Sequence, residues 1–136
     1  MKRKRLLDSF ALPAYLNKDN GFRMVHEALV AAQAVGDFLL MNEINVGEAY
    51  YILHRRRGRD KADYFLDATL PALPITTVAN AFSDVIAAAR IKAEYPIAFA
   101  DCFAVATARS QSAVIMTGDL EFKKVEHIVD IEWLDG

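Results

Sequence analysis

Five short apolar runs, separated by amphipathic stretches, most narrow what this chain can fold into. The runs cover residues 5–7, 38–41, 73–76, 113–117 and 131–134. Between them, Met24, Val25, Ala28, Leu29 and Ala32 fall on one helical face, and Gly36 can end that helix. Ala62, Phe65, Leu66, Thr69 and Leu70 share another face, with Asp60, Asp63 and Asp67 pointing away and Pro71 and Pro74 closing the segment. A long helix is expected over 78–94, stopped before Pro96. Another is expected over 99–111. Strands alternating with helices argue for a parallel sheet covered on both faces. The 136 residues show no repeat or Gly/Ser linker, so one α/β domain over 1–136 is expected, a parallel β-sheet flanked by α-helices in three layers.

Charge limits the function. Lys plus Arg is 16 and Asp plus Glu is 18, a formal net charge of −2. That balance excludes nucleic-acid binding through bulk positive charge, though not a local basic face. Nine of the 16 basic residues lie in two clusters: Lys2, Arg3, Lys4 and Arg5, and then Arg55, Arg56, Arg57, Arg59 and Lys61. Six of the 18 acids lie at or beyond Asp119. Each cluster reads either as a solvated surface or as a phosphate-contacting face, and the second also closes a helix, where cations favour the dipole. One cysteine excludes an internal disulfide framework and a cysteine-based zinc site. No apolar run is long enough to span a membrane. The first basic cluster resembles the start of a secretion signal, but Asp8 and Pro13 break the apolar stretch after it, so a cytoplasmic protein is expected.

The informative residues are acids that break an apolar pattern. Asp8 and Asp119 each follow a strand candidate at its carboxyl end, where open parallel sheets bind ligands. Gly118 would allow a tight turn there. Taken singly, each Asp also fits the common role of a helix cap or turn residue. Asp101 is harder to explain. It lies in Ile97-Ala98-Phe99-Ala100-Asp101-Cys102-Phe103-Ala104-Val105-Ala106, apolar on every side, with no Lys or Arg within a helical turn. A lone buried carboxylate costs several kcal/mol, on the order of 3–5, unless it is paired or metal-bound. Glu48 is the fourth acid, on a helical stripe shared with Asn45 and Ile52. With Ser9, Thr117 and Asn45, the four acids make an oxygen-rich set suited to a hard divalent cation. One or two such ions can activate water and stabilise charge on a phosphodiester during in-line attack. One bound ion would take the formal charge from −2 to 0, and two to +2. The net charge then no longer opposes a nucleic-acid substrate.

Leu6-Leu7-Asp8-Ser9-Phe10-Ala11-Leu12, Asn45-Val46-Gly47-Glu48-Ala49-Tyr50-Tyr51, Phe99-Ala100-Asp101-Cys102-Phe103-Ala104-Val105-Ala106 and Thr117-Gly118-Asp119-Leu120-Glu121-Phe122 together resemble the PIN-domain ribonucleases, most closely the VapC-type toxins. The resemblance covers nearly the whole chain, in order. It implies that Asp8, Glu48, Asp101 and Asp119 bind magnesium or manganese and drive hydrolysis of RNA. It gives Thr117 a role in holding the metal or its water, and Ser9 and Asn45 supporting roles. No member of the acidic quartet is missing, and Leu120 stands where many relatives carry proline. The resemblance also implies a homodimer inhibited by a small antitoxin.

Other features fit simpler roles. His26, His54 and His127 lack metal-ligand spacing and read as surface or packing residues. Cys102 reads as a small buried thiol, and Trp133 and Phe82 as core. Tyr50 and Tyr51 could stack on bases, with helix packing expected for at least one. No glycine-rich nucleotide loop is present. The competing reading is a non-catalytic PIN-like module that binds RNA or a protein. A phospho-acceptor receiver fits poorly, because Thr76 and Thr77 stand where its Asp should follow the third strand.

Overall fold

All five expected strands form, each within a few residues of its expected limits. The computed structural model describes residues 3–135 and contains β1 (Arg5–Leu7), β2 (Leu39–Asn42), β3 (Ile75–Val78), β4 (Val114–Thr117) and β5 (Ile131–Trp133). They lie in the order β3-β2-β1-β4-β5, with every neighbouring pair parallel. The helices are α1 (Ala11–Leu16), α2 (Phe22–Val35), α3 (Glu43–Arg57), α4 (Arg59–Tyr64), α5 (Leu70–Ala72), α6 (Phe82–Glu94) and α7 (Phe99–Gln111).

Strand side chains alternate between two cores, because successive residues point to opposite faces. Leu7, Leu39, Met41 and Met116 pack with Val25, Leu29, Val46 and Leu53 on one side. Leu6 and Ile115 pack with Ile91, Val105 and Phe122 on the other. The result is a three-layer α/β/α domain, as the alternating pattern requires. On α2 the expected face is the buried one, and Gly36 ends the helix with φ of +69°, where glycine carries no steric penalty. The same logic holds for α7, where Cys102, Ala104 and Ala108 are fully or almost fully buried.

Four expectations change. The helix expected over 78–94 starts at Phe82, because Thr76, Thr77 and Val78 continue β3 and pair with Leu40, Met41 and Asn42. Side chains branched at Cβ favour that extended state. Phe82 is therefore in the first turn of α6 and is 79% exposed, not core. Across 62–70, Ala62, Phe65 and Leu70 are buried but Leu66 is exposed. A wider π-turn over Phe65–Thr69 resets the helical face there. Finally, the amino-terminal basic run is engaged: Arg3 pairs with Asp130, and Arg5 Nε with Glu132 at 2.9 Å. Both pairs sit toward the strands' amino ends, tying β1 to the chain around β5. This cluster therefore does not provide a phosphate-facing surface beside the strands' carboxyl ends; Lys2 lies outside the described residues. Among the described residues no helix is long and apolar enough to cross a membrane.

Candidate active site

The strand order reverses between β1 and β4. From β1 the chain passes to β2 and β3 on one side, and β4 and β5 lie on the other. The crevice beyond the carboxyl ends at such a switch point is where open parallel sheets bind ligands. Asp8 follows β1 directly, Thr117 ends β4, and the register Leu7↔Met116 sets them beside each other. Thr117 Oγ1 donates to Asp8 Oδ2 at 2.6 Å and accepts the Asp119 backbone N–H at 3.0 Å. Asp8 Oδ1 accepts the backbone N–H groups of Ala11 at 2.8 Å and Phe10 at 3.2 Å. Asp119 Oδ1 accepts that of Glu121 at 3.0 Å. The helix-cap role and a place in the crevice are thus compatible: one oxygen of each Asp serves the turn.

The other two acids arrive on helices. Asn42 starts α3 by accepting the Ile44 N–H at 2.8 Å on its side-chain oxygen. This places Glu48 two turns along α3, where Ser9 Oγ donates to Glu48 Oε1 and Tyr51 Oη donates to Oε2 at 3.2 Å. Asp101 sits in the first turn of α7. Asn45 Nδ2 donates to the Ala100 carbonyl at 3.0 Å and so fastens α3 to α7 beside that carboxylate. Asn45 Oδ1 is buried without a hydrogen-bond partner.

The electrostatics are strained. Asp101 is 7% exposed, and no ion pair among the described residues involves it. Burial pushes its carboxyl up to about 7, and the negative charges of Asp119, Glu48 and Glu121 push the same way. Asp8 is also raised to about 7 by burial, against the lowering effect of its bonds from Thr117 and Ala11; Asp101 and Asp119 add to the rise. Asp8, Ser9, Asn45, Glu48, Asp101, Thr117 and Asp119 therefore converge on one crevice.

The second basic cluster does not join these acids. Arg56 pairs with Asp19 at 3.4 Å and Arg59 with Asp63 at 3.6 Å. Two participants, Glu121 and Phe10, escaped the sequence reading. The negative charge of Glu121 acts on Asp101. Tyr51, read from the sequence as a candidate for base stacking, also touches Glu48, three residues before it on α3. Phe10 lies over Gly118 so closely that a Cβ there would stand 2.5 Å from Phe10 Cε1. Gly118 is needed for this approach rather than for a left-handed turn, since its φ is not positive. Tyr50 is the packing member of its pair, with its hydroxyl on Asp63 at 2.5 Å. His26, His54 and His127 are exposed and Cys102 is buried, as expected; Trp133 is partly buried against the core, under Lys123.

Would this crevice suit a metal? Among the described residues no three His, Cys, Asp or Glu side chains close into a ready-made metal shell. Magnesium does not demand one: it keeps several waters and uses one or two carboxylates. The donors are all oxygen, no ion pair among the described residues reaches Asp101, and Asn45 Oδ1 is an unused buried acceptor. The set fits a hard divalent cation.

Comparison with curated proteins gives no match. Among solved structures, DNA-bound VapBC from Salmonella typhimurium is similar with a TM-score of 0.74 and 18% identity, covering 98% of this chain and 99% of that one. VapBC2 from Rickettsia felis, bound to a promoter DNA fragment, has a TM-score of 0.71 and 15% identity over 96% of this chain and 98% of that one. VapC20 from Mycobacterium tuberculosis, a toxin that cleaves the sarcin–ricin loop, gives 0.71 and 16% over 88% and 93%. At these identities the likeness is one of fold. A family model of the PIN domain matches residues 5–128, and the chain belongs to that family.

Proposed function

We propose that this protein is a magnesium- or manganese-dependent endoribonuclease, the toxin of a type II toxin–antitoxin pair, with Asp8, Glu48, Asp101 and Asp119 as its catalytic and metal-holding residues. The observation that carries the reading is Asp101, buried, in no ion pair among the described residues, and under the negative charge of Asp119, Glu48 and Glu121. Family membership and a fold shared with VapC20 and with VapBC complexes support it. The VapBC complexes also support a small antitoxin as partner; a second copy of the chain is proposed from the family resemblance alone.

Asp101 and Asp8 would hold the ion, with Thr117 fixing the Asp8 carboxylate through its hydroxyl. When bound, the ion supplies an activated water and neutralises charge developing on the phosphodiester. Ser9 and Tyr51 hold the Glu48 carboxylate from both sides, one hydroxyl on each oxygen, and so fix its orientation. Asp119 spends one oxygen on the turn and has the other for water or ion. Exclusion of bulk water from Asp8 and Asp101 strengthens each of these interactions.

The test is an RNA-cleavage assay of wild type and Asp101→Asn, with magnesium and with excess chelator. Loss of a group that stabilises transition-state charge costs about 10²–10³ in rate. Cleavage should fall by at least that factor in the folded variant and stop in chelator. Full cleavage by folded Asp101→Asn, or undiminished activity in chelator, overturns the reading. RNA binding without metal-dependent cleavage would favour the non-catalytic module instead.

A further inference from the structure

Glu48, Tyr51 and Arg55 stand at positions i, i+3 and i+7 of α3. At about 100° per residue they share one face, and the Arg55 backbone lies about 10 Å from that of Glu48 along the axis. Tyr51 is 45% exposed. Its hydroxyl donates to Glu48 Oε2 at 3.2 Å, and the Arg55 guanidinium carbon lies 5.1 Å from its ring centroid. Arg56, Arg57 and Arg59 do not share this line. Arg56 is held by Asp19 and Arg59 by Asp63. Arg57, nine residues after Glu48, falls about 180° around the helix.

We infer that Tyr51 and Arg55 form a platform for the single-stranded RNA segment flanking the scissile phosphate. Tyr51 stacks a base next to the cut, and Arg55 meets a backbone phosphate farther out. This rests on the nuclease reading of the crevice and adds the direction in which the strand leaves it. The chemistry favours a single strand. A base must be unstacked from its neighbours to lie on a tyrosine ring, and aromatic stacking accepts any base. The guanidinium matches a phosphate in geometry and charge, and it is already seated against the ring that would carry the base. A strand leaving along α3 avoids the acids of the crevice and meets positive charge as they recede. Phe10, Phe99 and Leu120 offer further exposed apolar surface.

Binding is measured with full-length Asp101→Asn protein and a short, labelled, mixed-sequence single-stranded oligoribonucleotide, in magnesium, over a salt series. In that background Tyr51→Ala should weaken binding about tenfold, while Tyr51→Phe, which keeps the ring, stays within about twofold. Arg55→Ala should weaken binding and lower the salt slope by about one, and Arg57→Ala should leave both unchanged. A duplex of the same sequence should be insensitive to Tyr51→Ala. In cleavage by the otherwise wild-type enzyme, Tyr51→Ala should raise KM where Tyr51→Phe does not, whereas any effect of losing the hydroxyl on kcat should be common to both. Unchanged affinity and KM in Tyr51→Ala and Arg55→Ala overturn the platform, as does an equal loss in Arg57→Ala. Those results beside normal metal-dependent cleavage would leave the nuclease reading standing. Ring-dependent RNA binding without any cleavage by wild type would do the reverse.

Discussion

At the scale of single residues, Asp8 and Asp101 dominate because each is buried where a carboxylate is costly. Their carboxyls are raised to about 7 from an ordinary 3.8 by burial. The folded state therefore holds these protons more tightly than the unfolded state, and protonation favours folding. The associated stability is fully present below the unfolded value and is lost as pH rises through about 7. Thermal melting in chelator should accordingly show a falling midpoint between those limits, relative to Asp101→Asn, whose slope should be shallower. Gly118 makes a steric prediction. An added methyl would meet Phe10 Cε1 at 2.5 Å, so Gly118→Ala should cost about 1–3 kcal/mol in denaturant unfolding. Removing the ring in Phe10→Ala/Gly118→Ala should recover part of that loss, because the clash is with the ring.

At the scale of elements, the junction of β2 and α3 has the densest polar support. Asn42 is fully buried. Its Nδ2 donates to Thr107 Oγ1 and Asn80 Oδ1, both at 2.8 Å, while its Oδ1 caps α3 and accepts from Asn80 Nδ2 at 3.0 Å. One side chain thus joins β2, α3, α7 and the loop before α6. Asn42→Ala removes the cap and leaves Thr107 and Asn80 short of partners, a loss of about 2–4 kcal/mol measurable by urea unfolding. Legibility varied between elements for physical reasons. Periodicity revealed α2, whose buried face is regular, whereas α7 showed itself as a segment apolar on every side and buries residues 101–105 in succession. Periodicity failed at 62–70, where a π-turn changes the period, and at Val78, which ends β3 and is separated from α6 by residues 79–81. The six residues of α1 are too few to show a period at all.

For the whole molecule, a cation in the crevice should act on stability as well as catalysis. A ligand that binds only the folded state raises stability by mass action. Magnesium should therefore raise the melting temperature of wild type at and above neutral pH, where the carboxylates are ionised, and should do so much less for Asp101→Asn. A thermal shift series in magnesium and in chelator reads this directly; equal shifts in the two proteins would remove Asp101 from the metal set. The net charge of −2 also takes on a spatial meaning. Arg3 and Arg5 are spent on acids near the strands' amino ends, the crevice gathers carboxylates at the carboxyl ends, and Arg55 lies along α3 between crevice and solvent.

The α/β class, the parallel sheet and the identity of the misplaced acids were determined by the sequence alone. These follow from short-range periodicity and from the cost of placing a carboxylate among apolar residues, both of which are written locally. Tertiary structure decided the strand order, and with it that Asp8 stands beside Thr117, 109 residues away in the chain. It also decided that Asn45 fastens α7 beside Asp101, that one basic cluster is occupied by acids, and that only part of the other follows the Glu48 face. Those outcomes depend on which strands pair and which helix faces meet, and such long-range choices are fixed by packing of the whole chain rather than by any segment of it.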